Sequence, residues 1–345
     1  MKLNIFLISI LMFSGGCKRD IEKLVDCNEV SLHSHATFKV GVAVDANKLL
    51  NDKAYKQKVL THFNSITPEN TFKIQHLMPS HNFFNWKEAD DLIAFATENQ
   101  LQFHGHTLIW GDHLPEWLLN YEGDWGNFFR RYIKAVVGRY KGKIKAWDVV
   151  NEAFEDDGTL KDNIWRQKIG DNYIALAFQY AREADPDALL FYNEVNCESK
   201  IKKLTAVVHM AMEMNKSGNY IDGIGLQMHV AYSFPADRQI ENALKFVSGA
   251  GFKVHISEMD ITVNSNEDLT QPTFYSMKEQ KRRVETIVKV FNSLDSEKQY
   301  AISVWGLSDA DSWLRKQGNK NEWPLLFDGQ LNIKPAFCGF MDGLK

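Results

Sequence analysis

The chain has 345 residues, of which 44% are hydrophobic, 24% charged and 12% aromatic, with 40 Lys and Arg against 44 Asp and Glu and a formal net charge of −4. These proportions exclude a disordered chain, a collagen-like repeat and a disulfide-stapled mini-protein. Charges of both signs are interspersed, so the basic field that phosphate neutralisation requires is missing and nucleic acid is set aside as a partner.

The N-terminus reads Met1-Lys2, then a mostly apolar stretch from Leu3 to Phe13, then Ser14-Gly15-Gly16-Cys17. The stretch is shorter than the about 20 residues a membrane-spanning helix needs, and it suits the core of an export signal. Two small residues before Cys17 resemble a bacterial lipoprotein processing site, although Ser14 stands where an aliphatic residue is usual. Residues 1–17 are therefore expected to be a signal peptide with Cys17 lipidated, giving a membrane-anchored exported protein; an ordinary signal with an incidental Cys is the plainer reading. Residues 18–35 are expected to be a polar tether and 36–345 a single catalytic domain. Cys27, Cys197 and Cys338 are scattered without a C-x-x-C spacing, which argues against a zinc knuckle or a disulfide framework and leaves room for at most one bridge.

From Phe38 onward, short apolar runs alternate with longer segments of helical period. The runs are Phe38 to Val44, His62 to Thr67, Leu101 to Leu108, Ile144 to Val150, Ala188 to Tyr192, Gly223 to Met228, Phe252 to Ser257 and Tyr300 to Trp305. Between them, stretches such as Ala89 to Glu98, Phe128 to Tyr140 and Glu279 to Leu294 place apolar residues at three- and four-residue intervals. Eight strand-plus-helix units predict a closed (β/α)8 TIM barrel of one domain. A doubly wound open sheet is the alternative, but no G-x-G-x-x-G follows the first run.

The C-terminal ends of these runs carry the chemistry. Run two leads to Glu69 and Asn70, run three to His104, His106 and Trp110, run four to Asn151 and Glu152, and run five to Asn193, Glu194 and Asn196. Run six carries Gln227 and reaches His229, run seven delivers Glu258 and Asp260, and run eight ends at Trp305 ahead of Asp309. In a barrel these ends meet at one mouth. Turns attract Asn, Asp and Gly for their own reasons, but turn chemistry does not call for Trp or large amides at six ends together. Indoles under sugar faces with amides and carboxylates on hydroxyls point to a glycan. Cleaving a glycosidic bond takes two carboxyl groups in opposite protonation states, and Glu152 and Glu258 are the best placed. A Glu with the ordinary pKa of about 4.3 is protonated about once in 500 molecules at pH 7, and a facing carboxylate would raise one of the pair. His229 and Asp260 are placed to hold Glu258 ionised, although spacing alone permits the opposite assignment.

These motifs resemble glycoside hydrolase family 10, the endo-β-1,4-xylanases, over nearly the whole chain from Phe38 to Phe340. The landmarks are FNSITPENTFK (Phe63 to Lys73), GHTLIW (Gly105 to Trp110), WDVVNEAF (Trp147 to Phe154), GIGLQMH (Gly223 to His229), ISEMDI (Ile256 to Ile261), VWGLSDADSW (Val304 to Trp313) and LLFD (Leu325 to Asp328). The resemblance implies a retaining mechanism without metal or other cofactor, with Glu152 as acid/base and Glu258 as nucleophile. It further implies that Asn151 reads the 2-hydroxyl in subsite −1, that Gln227 and His229 support the nucleophile, and that Glu69, Asn70, Lys73 and His106 read hydroxyls on the non-reducing side. Trp305 and Trp313 would wall the −1 sugar, with Trp110 and Asn196 also in the cleft. The expected partner is xylan or a related β-glycan, and a monomer is expected.

Three departures lie in the cleft. Gly111-Asp112-His113 replaces the family's His-x-Gln, putting His113 where a Gln usually reads a hydroxyl. Asn193-Glu194-Val195-Asn196 replaces Asn-Asp-Tyr-Asn, so Val195 removes a ring, worth around 1 kcal/mol at one subsite. His104 stands where Arg is frequent. They keep a third reading open, the same mechanism on another β-glycan or a decorated xylan. Two rivals come from other classes. One is a metal-dependent barrel hydrolase using His33-x-His35 or His104-x-His106; the other is a glycan-binding lipoprotein without activity, which the presence of both glutamates disfavours.

Overall fold

The structure is a computed structural model that describes residues 20–345 apart from 219, 317, 319 and 320. The expected signal peptide and Cys17 lie outside the described residues. Eight parallel strands close into a barrel: β1 (Lys39–Val44), β2 (Ser65–Pro68), β3 (Gln102–Gly105), β4 (Ala146–Asn151), β5 (Leu189–Glu194), β6 (Gly223–Leu226), β7 (Lys253–Thr262) and β8 (Gln299–Val304). Closure is direct, since β1 pairs in parallel with both β2 and β8, with Lys39 opposite Ala301 and Val42 opposite Val304. Two short strands, Ile109–Trp110 and His229–Ala231, extend the wall toward the mouth by pairing with the ends of β4 and β7.

The strands read as continuous apolar runs because both faces are covered, one by the barrel interior and one by helices. Those helices are α1 (Lys53–His62), α2 (Trp86–Glu98), α3 (Trp125–Arg139), α4 (Tyr173–Ala184), α5 (Ile201–Ser217), α6 (Asp237–Gly249), α7 (Phe274–Asn292) and α8 (Pro335–Gly343). In α3 the buried face is Trp125, Phe128, Phe129, Tyr132, Ile133, Val136 and Val137, a three- and four-residue spacing that lays one stripe on the sheet. Side-chain caps define several starts: Asp52 accepts from the Ala54 and Tyr55 amides at α1, and Asp124 from Asn127 at α3. No helix among the described residues is long and apolar enough to cross a membrane.

All eight apolar runs become barrel strands, but their ends differ from the sequence expectation. His62 belongs to α1, and β2 starts at Ser65. Asn151, Asn193 and Glu258 lie inside strands rather than after them. Strands continue through these polar residues because their inward side chains pair with one another across the barrel.

The expected tether at 18–35 is corrected by the structure. Within its described part, Cys27 forms a disulfide with Cys338 of α8, and Leu32 is fully buried. Glu29 pairs with Lys58 and accepts from His62 Nε2 at 3.0 Å. The segment is thus fastened to the barrel by a covalent link and a buried apolar anchor, neither of which local polarity reveals. Cys197 is a buried free thiol.

Candidate active site

The barrel interior below the mouth carries a polar layer. Asp148 on β4 receives His106 Nδ1 on one oxygen at 2.9 Å, and His104 Nε2 lies 3.0 Å from the other. The Tyr300 hydroxyl sits 3.0 Å from His104 Nδ1, and His255 Nε2 lies 3.0 Å from Ser303 Oγ. Burial alone would raise the Asp148 carboxyl, but the two imidazoles hold it below the usual carboxylate range. Both members of the His104-x-His106 pair therefore turn to one carboxylate rather than to a shared ligand position. His104, Asp148 and His255 do offer three ligand atoms within 4.8 Å of one another in the interior. His33 and His35 precede β1, where His35 Nδ1 donates to the Ser31 carbonyl at 2.8 Å.

Above this layer the two candidate glutamates face a common network. Glu258, buried on β7, accepts from Asn193 Nδ2 at 2.7 Å and lies 3.2 Å from His229 Nε2. His229 turns its other nitrogen to Asp260 Oδ1 at 3.0 Å, and the second Asp260 oxygen accepts from Trp313 Nε1 at 2.8 Å. Burial alone would raise Glu258, but the His229 hydrogen bond, the nearby His106 and the Asn193 amide bring it below its ordinary value. Burial likewise opposes charge on His229, yet Asp260 and Glu258 on its two nitrogens raise it well above the usual imidazole range. His229 thus bridges the two carboxyl groups through its two ring nitrogens, a setting that favours its charged form.

Glu152 follows β4 directly and is partly exposed. Its Oε1 accepts from Gln227 Nε2 at 2.8 Å and its Oε2 from Trp110 Nε1 at 3.2 Å, with Lys161 Nζ at 3.8 Å. Gln227 also reaches Asn151 Oδ1 at 3.4 Å, and Asn193 Nδ2 donates to the same oxygen at 2.9 Å. A chain of amides therefore links the two glutamates. Gly225 makes room for it, since a Cβ there would lie 2.2 Å from Asn193 Oδ1.

The segment that follows β2 lines one flank of the mouth. Lys73 Nζ donates to Asn70 Oδ1 at 3.1 Å and stands 5.2 Å from the Trp110 ring centre. Burial lowers the Lys73 pKa against the pull of Glu258, Glu69 and Glu152, so this ammonium lies in the field of all three carboxylates. Glu69 faces Lys316 Nζ across the mouth at 3.4 Å. Trp305 is buried with its ring edge-on to His106 at 5.3 Å, and Trp313 lies 5.1 Å from His229.

Two expected residues sit apart from this network. Asn196 is exposed, with φ of 62°, and its hydrogen bonds run through its carbonyl to Ser199 and Lys200. His113 is exposed on the rim, with its ring 4.8 Å from that of Trp110 and its Nδ1 3.4 Å from Gln75. The sequence placed Asn193 at the mouth without a role, and the structure shows it bonding Asn151 and Glu258 together; Ser257, which donates to Asn193 Oδ1 at 2.6 Å, was not singled out. The polar ending of run five was the available signal for Asn193.

With this geometry in hand, similarity to known proteins is informative. Residues 30–343 match the family model described as Glycosyl hydrolase family 10. The chain is 36% identical to an endo-1,4-beta-xylanase of Geobacillus stearothermophilus, over 87% of this chain and 94% of that one. It is 35% identical to endo-1,4-beta-xylanase C of Paenibacillus barcinonensis, over 89% of this chain and 31% of the larger protein. Several curated relatives are longer, and the chain spans 31 to 56% of three of them. Among solved structures, xylanase 10C of Cellvibrio japonicus in complex with xylopentaose superposes with a TM-score of 0.87 at 34% identity, covering 92% of this chain and 69% of that one. The barrel, its order of motifs and this similarity along most of its length agree: the chain belongs to glycosyl hydrolase family 10.

Proposed function

We propose that the protein is a retaining glycoside hydrolase that cuts internal β-1,4-xylosidic bonds of xylan. The observation that carries this reading is the unequal setting of the two glutamates. Glu258 is buried and held ionised by His229 and Asn193, the state a nucleophile needs. Glu152 is partly open to solvent and lies beside Trp110, Gln227 and Lys161. In the first step Glu258 attacks the anomeric carbon, the bond to the leaving oxygen breaks, and Glu152 gives that oxygen a proton. In the second, Glu152 takes a proton from water, whose oxygen displaces Glu258 and regenerates both groups. The Asn151 oxygen is tied by Asn193 and Gln227, which leaves its NH2 as the donor for a sugar hydroxyl. Trp305 and Trp313 supply apolar walls, and Glu69, Asn70, Lys73 and His106 the hydroxyl readers.

Relatives named endo-1,4-beta-xylanases and a similar protein in complex with xylopentaose support xylan as the substrate. A second reading, the same chemistry on another β-glycan or a decorated xylan, is favoured by His113 on the Trp110 ring and by Val195 in place of an aromatic ring. One product profile separates them. Hydrolysis of glucuronoxylan, arabinoxylan and mixed-linkage glucan, followed by chromatography, is expected to give xylo-oligosaccharides early in the reaction. Release of gluco-oligosaccharides alone would move the assignment to the second reading, and monosaccharide as the first product would remove internal cleavage. The third possibility, binding without turnover, is opposed by the intact pair.

We further infer that the enzyme is exported, lipidated on Cys17 and active as a monomer. The apolar stretch before Cys17 and the Cys27–Cys338 disulfide, a bond that persists in oxidising compartments, support export. All the groups of the proposed site come from one chain.

A further inference from the structure

Glu152 occupies a backbone conformation that a side chain bearing a Cβ adopts at a cost, with φ of 55°. Several of the bonds that keep it there come from the end of β5, beside the Lys161 amide, which donates to the Ala153 carbonyl at 2.8 Å. The Glu152 amide donates to the Asn193 carbonyl at 3.0 Å. The Ala153 amide donates to the Tyr192 hydroxyl at 2.9 Å, and that hydroxyl in turn donates a hydrogen bond to Glu194 Oε2 at 2.6 Å. The Phe154 amide donates to the same Glu194 oxygen at 3.2 Å. The other oxygen of Glu194 accepts from the Val195 amide at 3.1 Å and from Lys203 Nζ on α5 at 3.3 Å. Lys203 in turn reaches Asp156 Oδ1 at 3.1 Å, so the far side of the same turn is tied to the same centre. Glu194 is fully buried and touches neither cleft nor solvent.

We propose that Glu194 is a positioning residue for the acid/base, fixing the Glu152–Phe154 turn through the Phe154 amide and the Tyr192 hydroxyl so that the Glu152 carboxyl stays aimed at the leaving group. This rests on the reading of Glu152 as acid/base. A carboxylate suits the task because it accepts several hydrogen bonds at once, and a charged acceptor makes each stronger. The ionisable groups facing it are Lys203 from α5, Tyr192 on its own strand, Glu152 from the turn, Tyr173 from α4 and Cys197 from the following loop, with Asp156 beyond Lys203. Burial pushes Glu194 up to about 7 against the pull of Lys203 and the Tyr192 hydroxyl.

The test is Glu194→Gln, which keeps the shape but removes the charge, assayed on aryl xylobiosides with poor and good leaving groups. Only the poor leaving group needs a well-aimed proton. The expected result is a kcat/KM loss of about ten- to a hundredfold on the poor leaving group and less than about threefold on the good one, carried by kcat rather than KM. Equal losses on both substrates, or wild-type values on both, would overturn the proposal. Should Glu194→Gln lack a cooperative melt, Tyr192→Phe decides on the same criterion, since it removes only the bridging hydroxyl. Glu152→Ala is measured alongside: leaving-group selectivity there without any in the Glu194 variant defeats this proposal alone, whereas no selectivity in Glu152→Ala defeats the acid/base reading itself.

Discussion

At the scale of single residues, charge placement is what separates the two glutamates in the proposed mechanism. Glu258 is held below its ordinary value, so as the proposed nucleophile it stays ionised to lower pH than a free Glu of pKa about 4.3. The acidic limb of kcat/KM is therefore expected below about pH 4.3, and His229→Asn should move it upward, because the cation that favours the carboxylate is lost. A limb that stays in place on that substitution would show that His229 does not set the nucleophile's charge. On the rim, His113→Gln is expected to raise kcat/KM on linear xylan by restoring a hydroxyl-reading amide beside Trp110; an unchanged value would show that this position reads no sugar. Sequence made both glutamates, His229 and Asp260 visible because each follows an apolar run within a few residues, at ends that gather at one mouth. It left Glu194 obscure, since a buried carboxylate that works through neighbouring amides looks the same in sequence as one more polar residue at a strand end.

Elements were legible where burial on both faces produced continuous apolar runs, and less so where strands carry polar side chains into the barrel. Asp148, Asn193 and Ser257 sit inside strands and are satisfied by partners on other strands, a pairing no local pattern encodes. The close approach of β6 to β5 is of the same kind. Gly225→Ala would put a methyl group 2.2 Å from Asn193 Oδ1. It is expected to destabilise the fold by about 1–3 kcal/mol in chemical denaturation and to lower kcat, since Asn193 anchors Glu258. Full stability and activity in that variant would show that Asn193 has room to retreat and does not fix the nucleophile.

For the whole molecule, the barrel followed from eight runs in order, whereas the fastening of the N-terminal segment did not, because its two cysteines are 311 residues apart in sequence. A cross-link closing so long a loop restricts the unfolded chain most. Cys338→Ser is expected to lower stability by about 2–4 kcal/mol while leaving kcat near wild type, as read from denaturation and initial rates. A fall in kcat without a fall in stability would instead tie the segment to the site. The central claim is that Glu258 forms a covalent bond to the sugar across from Glu152. Its most direct test is Glu258→Ala assayed on an aryl xylobioside with a good leaving group, with and without azide. Near-complete loss of turnover, recovered by azide with an α-glycosyl azide as product, is the predicted result. Activity within about tenfold of wild type, or an azide product of retained configuration, would contradict it.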